Sequence, residues 1–295
     1  MLKKIFALAT AGAMLGAFSA DAADYGTLKR IKESGTIVIG HREASVPFSY
    51  IGPDQKPIGY SIDICMRIVD AIKAEIGVDK LDIKYVPVTP QTRIPLIANG
   101  NVNIECGSTT NTLTRQKQVD YAYTTYLTGT KLLVKKTSGI KEVEDLKGKA
   151  IALAQGTTNE RAIKEAIANL NIADVKVLNV KDHAEGFLAL ETDRVDAYST
   201  DDIQLYGLIA KSKSPADYEV VGRFLSFDPY ALMLPRDDSA FRLVVNKTLV
   251  GLFRSGEIEK IYNKWFVGPI PGGEPLNVVM DGTLKANFAV HAFPD

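Results

Sequence analysis

One segment of the sequence combines several groups that bind anions. Glu105 to Asn111 reads Glu-Cys-Gly-Ser-Thr-Thr-Asn at the end of a predicted strand, and Arg115 follows where a helix is expected to begin. Hydroxyls, free backbone amides and a guanidinium suit a carboxylate, because arginine offers paired donors in a planar fork and hydroxyls complete the oxygen lone pairs. An ordinary capped turn with an exposed arginine is at least as compatible with this segment, so both interpretations stay open.

A second segment, Gln155 to Glu160, places a predicted helix N-terminus after a strand. Thr157 and Glu160 have the spacing of a capping box, which is a sufficient structural explanation. The first amides of a helix are also unpaired and carry a partial positive charge that suits an anion. The two interpretations are compatible, and they leave Thr158 free to contact a ligand.

Further charged residues follow other predicted strands. Asp201 and Asp202 stand where a carboxylate can pair with an ammonium group, although one of them can instead cap the next helix. Arg42, Arg93 and His183 also follow or lie near predicted strands. Taken one at a time, each is most simply explained as a charge on the protein surface. Together with Arg115, these three exceed the positive charge that one α-carboxylate needs, which points to a second carboxylate on the ligand.

A repeated pattern of strands and helices must position these residues. Residues 61–76 carry apolar side chains at helical spacing up to Gly77, and residues 36–40 form a β-branched run. The alternation of strands and helices occurs twice, which predicts two α/β lobes with mainly parallel sheets. The predicted strands are 36–40, 81–88, 102–106, 150–154, 174–179 and 195–199, and the predicted helices are 27–34, 61–76, 91–98, 158–169, 183–192 and 202–211, with more around 241–266.

Two extended segments, 126–135 and 224–234, bracket the second set of units and are predicted to cross between the lobes. Lobe 1 is then discontinuous, with residues 23–128 and 229–295, and lobe 2 is 129–228. Two lobes joined by two strands form a cleft that can close by a hinge. Because such folds bind ligands outside the carboxyl ends of strands, the cleft is the predicted site.

The N-terminus predicts export. Lys3 and Lys4 precede an apolar run, and Ala20 with Ala22 fits the cleavage pattern of a secretory signal peptide, so residues 1–22 are expected to be removed. Without them 33 basic and 34 acidic residues remain. This balance disfavours a nucleic-acid surface. The mature protein is expected in the periplasm, free of the membrane.

The sequence has two cysteines, Cys65 and Cys106. Export places them in an oxidising compartment, where a disulfide can persist, and two buried free thiols are the alternative. Neither a C-x-x-C motif nor a histidine-rich set occurs, so a redox or metal site is not expected. A disulfide would staple one lobe and carry no chemistry.

Several runs of residues resemble the periplasmic glutamate/aspartate-binding proteins, which are family-3 solute-binding proteins of ABC importers. The resemblance covers residues 27–266, and the Glu105–Asn111 run with His-Arg-Glu upstream is specific within the wider family. The matching runs are His41-Arg42-Glu43, Pro47-Phe48-Ser49-Tyr50, Gly59-Tyr60-Ser61, Arg93-Ile94-Pro95-Leu96, Glu105 to Asn111, Arg115-Gln116-Lys117, Gly156-Thr157-Thr158 and Lys181-Asp182-His183.

The resemblance implies the type II periplasmic-binding-protein fold, with two α/β lobes joined by two hinge strands. It implies a ligand with an α-carboxylate, an α-ammonium and a side-chain carboxylate. The residues that would hold these groups are Arg115, Ser108, Thr110 and Thr158 for the α-carboxylate and its surroundings, Asp201 for the ammonium, and Arg42, Arg93 and His183 for the side-chain carboxylate. Pro90 stands where the family often has serine, so a hydroxyl contact there is lost or moved.

Binding without chemistry is therefore the predicted function. The ligand is expected to be L-glutamate or L-aspartate, and the closed protein is expected to dock as a monomer on the permease subunits of an ABC transporter, without cofactor, metal or nucleic acid. Binding of glutamine or asparagine is one alternative. An enzyme such as a dehydratase is another, and it would need a carboxyl group in the pocket, for which Glu105 and Glu160 are the candidates.

Export makes a simple prediction about the mature chain. Protein recovered from the periplasm should begin at Ala23, because cleavage is expected after Ala22. Intact-mass spectrometry of the secreted protein measures this directly. A mass that retains the first 22 residues would contradict it.

Overall fold

The computed structural model describes residues 26–293, and over this range the chain forms two α/β units joined by two short strands. The predicted signal peptide, residues 1–22, lies outside the described residues. None of the helices between residues 26 and 293 is long and apolar enough to span a membrane.

Lobe 1 is built on a five-stranded sheet. β1 (Thr36–His41) lies between β5 (Asp82–Pro87) and β6 (Ile104–Glu105) and runs parallel to both. β15 (Met233–Leu234) is antiparallel to its neighbours β6 and β7 (Asp120–Tyr121). The strand order is β5-β1-β6-β15-β7.

Lobe 2 repeats this arrangement. β10 (Ala150–Ala154) lies between β11 (Lys176–Val180) and β12 (Ala197–Asp201) and is parallel to both. β9 (Thr130–Lys135) is antiparallel to β12 and β13 (Tyr218–Val221). The order is β11-β10-β12-β9-β13. Each sheet is thus mixed, and the antiparallel strand in each is the one that the chain enters from the hinge.

The hinge is a two-stranded antiparallel sheet of β8 (Tyr126–Thr128) and β14 (Asp228–Tyr230). β9 follows β8 and β15 follows β14, so both hinge strands continue directly into a sheet. We propose the lobe boundaries expected from the sequence, 23–128 with 229–295 and 129–228, because the two main sheets divide at these strands.

Helices cover the sheets, and a small three-stranded sheet sits beside the cleft in lobe 1. α2 has the predicted apolar stripe and ends at Gly77, whose φ of 69° is in the left-handed region that favours glycine. The bounds are α1 Gly26–Ser34, α2 Tyr60–Ile76, α3 Arg93–Ala98, α4 Thr158–Asn169, α5 His183–Glu191, α6 Asp202–Lys211, α7 Ser239–Ser255, α8 Glu257–Tyr262 and α9 Gly282–Val290, and the small sheet is β2 Ala44–Ser45, β3 Ser49–Ile51 and β4 Pro57–Ile58.

An aromatic cluster fixes the hinge to the core of lobe 1. The ring of Tyr126 on β8 stacks on Phe266 with centroids 4.9 Å apart. Phe48 packs edge-on against Tyr230 of β14, with a centroid distance of 5.1 Å. Aromatic pairs in such geometries contribute beyond their buried area. The hinge strands are therefore held firmly on the lobe 1 side.

A disulfide joins Cys65 on α2 to Cys106, the residue that follows β6. Both cysteines are fully buried. Of the two alternatives left by the sequence, the structure has the disulfide. It ties a helix to the strand that leads into the Ser108–Thr110 segment.

Removing this disulfide should destabilise lobe 1. A Cys65→Ala/Cys106→Ala variant is expected to lose at most about 4 kcal/mol of unfolding free energy, since the bond closes a loop with a sequence separation of 41. Urea denaturation of the wild type, the reduced wild type and the variant measures the loss. An unchanged unfolding midpoint would contradict the prediction.

Candidate functional site

The strand ends of both lobes face one another across a small buried cavity. Seven of the eight ligand-binding residues expected from the sequence line it, together with Thr157, Asn159 and Gln204. The seven are Arg42, Arg93, Ser108, Thr110, Thr158, His183 and Asp201. Each follows or ends a parallel strand, which explains why residues more than 150 positions apart in the chain meet here.

Arg42 and Arg93 form a basic end of the cavity. Arg42 is 2% exposed, and its Nη2 has no hydrogen-bond partner within residues 26–293. Burial and the charge of Arg93 lower the pKa of Arg42 to about 10. Arg93 Nη1 donates to Thr109 Oγ1 at 2.6 Å, and Thr109 in turn donates to Glu105 at 2.7 Å. Arg93 is thus anchored from behind, while Arg42 has donor capacity left for a ligand.

His183 lies at the same end and is neutral. Its pKa is well below the usual value because the side chain is buried and the guanidiniums of Arg42 and Arg93 oppose a further positive charge. Nδ1 is 2.6 Å from the hydroxyl of Tyr198. The sequence predicted a cationic group at His183, but in the ligand-free protein burial, and then the two arginines, oppose that charge. An anion bound here would favour protonation of the imidazole.

Asp201 forms the acidic part of the lining. Asn159 Nδ2 donates to Asp201 Oδ1 at 2.9 Å, and the hydroxyl of Tyr230 donates to Oδ2. Burial first, and then the charge of Asp228, raise the pKa of Asp201 to about 8. The lining therefore contains two guanidiniums and a carboxyl group.

Arg115 lies next to the cavity but is not among the described residues that line it. Its Nη1 donates to the carbonyl of Thr110 at 2.7 Å, and its Nη2 donates to the carbonyl of Gly156 at 3.0 Å. These bonds join lobe 1 to lobe 2. The expected contact between Arg115 and a ligand carboxylate stays a prediction.

Other contacts also bring the lobes together around the cavity. The hydroxyls of Thr110 and Thr158 are 3.2 Å apart, and Gln91 Nε2 is 3.2 Å from Gln155 Oε1 at the exposed edge. Thr157 caps α4 as expected, because its hydroxyl accepts the amide of Glu160 at 3.0 Å. The structure is therefore a closed arrangement of the two lobes.

The loop that carries Pro90 also contributes to closure. Thr89 and Thr92 hydrogen-bond each other, so their hydroxyls support the turn before α3. A side chain at Gly156 would stand 3.2 Å from the carbonyl of Pro90, and the φ of Gly156 is 80°. A glycine is needed at this position because the turn approaches its backbone closely.

One comparison with known proteins decides the family. A family model described as bacterial extracellular solute-binding proteins, family 3, matches residues 37–268. The chain belongs to this family.

Similar proteins extend the comparison. The L-glutamate/L-aspartate-binding protein of Pseudomonas aeruginosa is 48% identical over 266 residues, which are 90% of this chain and 88% of that protein. The glutamate/aspartate import solute-binding protein of Escherichia coli K12 is 41% identical over 285 residues, covering 96% and 94%. A solved structure of an ancestral amino acid-binding protein, AncCDT-1, described as a precursor of cyclohexadienyl dehydratase, has a TM-score of 0.70 at 27% identity and covers 81% of this chain and 99% of that chain. The predicted type II fold is confirmed.

Three lining residues, and one residue that supports them, were not expected from the sequence. Thr157 and Asn159 flank the expected Thr158, and Gln204 lies on the first turn of α6, three residues after Asp201. That spacing puts Gln204 and Asp201 on the same side of the helix start, which is a signal the sequence did contain. Nothing in the local sequence pointed to Tyr230, because it reaches Asp201 from the hinge.

The raised pKa of Asp201 predicts that ionisation of this carboxyl group destabilises the ligand-free protein. The pKa of Asp201 is about 8 in the folded protein, against an ordinary value of 3.8. The unfolding free energy of the protein therefore falls as the pH rises between these two values. Asp201→Asn should therefore be more stable than wild type without ligand. The advantage should be absent near pH 4, grow up to pH 8 and then level off. The pKa difference limits this gain in unfolding free energy to about 6 kcal/mol. The measured gain should be smaller, because opening of the cleft hydrates the carboxylate.

Thermal unfolding of ligand-free protein across this pH range measures the effect. Asp79→Asn, which removes an exposed carboxylate of lobe 1, is the matched control and should show no such pH-dependent gain. A constant difference between Asp201→Asn and wild type at all pH values would contradict the assigned cause.

Proposed function

We propose that this protein binds L-glutamate or L-aspartate between its lobes in the periplasm and delivers it to an ABC transporter in the inner membrane. The observation that carries the proposal is the charge pattern of the cavity. Arg42, Arg93 and Asp201 all line the cavity. A ligand with two carboxylates and one ammonium has the complementary set of charges.

The basic end favours a carboxylate over an amide. Arg42 Nη2 is buried and without a partner in the part of the chain that the structure describes. A charge-assisted hydrogen bond from this atom is about twice as strong as a neutral one. A glutamine side chain would leave guanidinium charge uncompensated, and buried charges without a partner are costly.

The α-carboxylate has a separate set of donors. Thr158 and Asn159 are the first residues of α4, and their amides have no partner within the helix. The hydroxyls of Thr110 and Thr158 adjoin them, and Arg115 lies directly behind Thr110. Asp201 then accepts the α-ammonium. The names of the Pseudomonas and Escherichia relatives support this ligand class.

Closure of the lobes is the proposed mechanism. The ligand first contacts lobe 1 and lobe 2 then rotates on β8 and β14, which forms the interlobe bonds of Arg115 and Gln91. The closed form presents both lobes together to the permease, and we propose that it acts as a monomer. A ligand shifts this equilibrium only through its stronger binding to the closed state.

We also propose that the protein is not an enzyme. Neither Glu105 nor Glu160 is among the described residues that line the cavity. Glu105 accepts from Thr109 behind the basic end, and Glu160 pairs with Lys164 at 2.7 Å on the surface. The one carboxyl group in the lining, Asp201, already accepts two hydrogen bonds that orient it toward the cation of a ligand.

Isothermal titration of ligand-stripped protein tests the proposed ligand. L-Glutamate and L-aspartate should bind tightly, and L-glutamine should bind more weakly by more than about 2 kcal/mol, or about thirtyfold. Arg42→Met should erase most of the preference for glutamate over glutamine, because it removes the buried charge that an amide cannot compensate.

Arg161→Met is the matched control, since Arg161 lies on the exposed face of α4 beside Glu165. It should bind like wild type. Equal binding of glutamine by the wild type would favour a general polar amino-acid carrier. Absence of binding by every amino acid would overturn the proposed function and direct attention to catalysis.

A further inference from the structure

Gln204 is a buried residue of the cavity with an unused acceptor. It is 2% exposed and lines the cavity at the end where Asp201 lies. Its Nε2 donates to the hydroxyl of Tyr230 at 2.6 Å, whereas its Oε1 has no partner among residues 26–293. A buried carbonyl oxygen without a donor is unfavourable, so this atom needs an explanation.

A chain of hydrogen bonds determines which way the amide of Gln204 points. The hydroxyl of Tyr230 has a single proton, and when Asp201 is ionised, as pairing with an ammonium requires, Tyr230 donates this proton to Asp201. Tyr230 can then only accept from Gln204, which must turn its Nε2 toward the tyrosine. The Oε1 atom is left for a donor that occupies the cavity.

An ammonium group is the donor that fits this position. It has three N–H bonds and no acceptor, so one carboxylate alone does not satisfy it. Asp201 and Gln204 lie three residues apart at the start of α6, on one side of the helix. We propose that Gln204 Oε1 binds the α-ammonium of the ligand together with Asp201, and that it thereby selects amino acids over dicarboxylates that lack the amine.

This inference rests on the proposed function, since it names a further residue of the same site. Its consequence is specific to one group of the ligand. Loss of the Gln204 acceptor should weaken binding of L-glutamate and leave binding of glutarate, which has both carboxylates but no amine, unchanged. A residue that only packs would affect both ligands alike. A residue that only orients Asp201 through Tyr230 would weaken glutamate alone, and the position of Gln204 Oε1 in the glutamate complex separates that role from direct binding.

The test compares wild type with Gln204→Leu and Gln204→Met, which differ in shape but both lack the amide oxygen. L-Glutamate binding is measured by calorimetry, and glutarate is measured by displacement of labelled glutamate. Both variants should bind glutamate about ten- to a hundredfold more weakly, as expected for a hydrogen bond to a charged group. Glutarate affinity should stay within about twofold. Gln118→Leu, at an exposed site in lobe 1, controls for the substitution itself.

Equal losses for glutamate and glutarate, or no loss for glutamate, would overturn the role of Gln204 while leaving the proposed ligand intact. Failure of the wild type to bind glutamate would overturn the proposed function first. A crystal structure of the glutamate complex gives an independent decision. Gln204 Oε1 should lie within hydrogen-bond distance of the ammonium nitrogen, and a longer separation refutes the proposal whatever the affinities.

Discussion

A guanidinium that is buried without an opposing charge is costly, because burial removes its hydration and the protein interior does not replace it. Arg42 is buried beside the like charge of Arg93. Glu105 and Asp182 offset only part of this cost, so the pKa of Arg42 stays lowered. Burial, and then the same pair of arginines, keep His183 neutral. The space between the lobes is therefore electrostatically incomplete, and an anion is the partner that completes it.

The rest of the architecture can be understood from this constraint. Lobe 1 supplies Arg42 and Arg93 after β1 and β5, whereas lobe 2 supplies His183 and Asp201 after β11 and at the end of β12. The two arginines and Asp201 therefore come from different lobes, and neither lobe alone carries both signs of charge in the lining. Because β15 and β9 continue from the hinge strands into the two sheets, rotation at the hinge moves whole sheets and keeps each strand end in its place.

The hinge itself participates in the site. Tyr230 belongs to β14, packs on Phe48 of lobe 1 and donates to Asp201 of lobe 2. Asp201, which we propose as the partner of a ligand cation, is thus bonded to the strand on which the lobes turn. This link gives a physical route by which recognition at the acidic end favours the closed arrangement, in addition to the direct bonds of Arg115 and Gln91.

Much of this was determined by the sequence alone. Strand and helix periods predicted two α/β lobes, and the positions of Arg42, Arg93, His183 and Asp201 after predicted strands were enough to gather them at one edge, because parallel strands end together. The cap at Thr157 was also local, since it depends on residues three apart.

The tertiary structure decided what depends on contacts across the lobes. The sequence allowed free thiols or a disulfide at Cys65 and Cys106, and only the packing of α2 on β6 brings them together. It could not show that two arginines make His183 neutral, or that Arg115 bonds to carbonyls of both lobes. The role proposed for Gln204 depends on its hydrogen bond to Tyr230, which belongs to the hinge strand β14. The sequence itself specifies residue types and the local spacing of apolar residues. Charge environments and hydrogen-bond directions are determined only when distant segments are buried together.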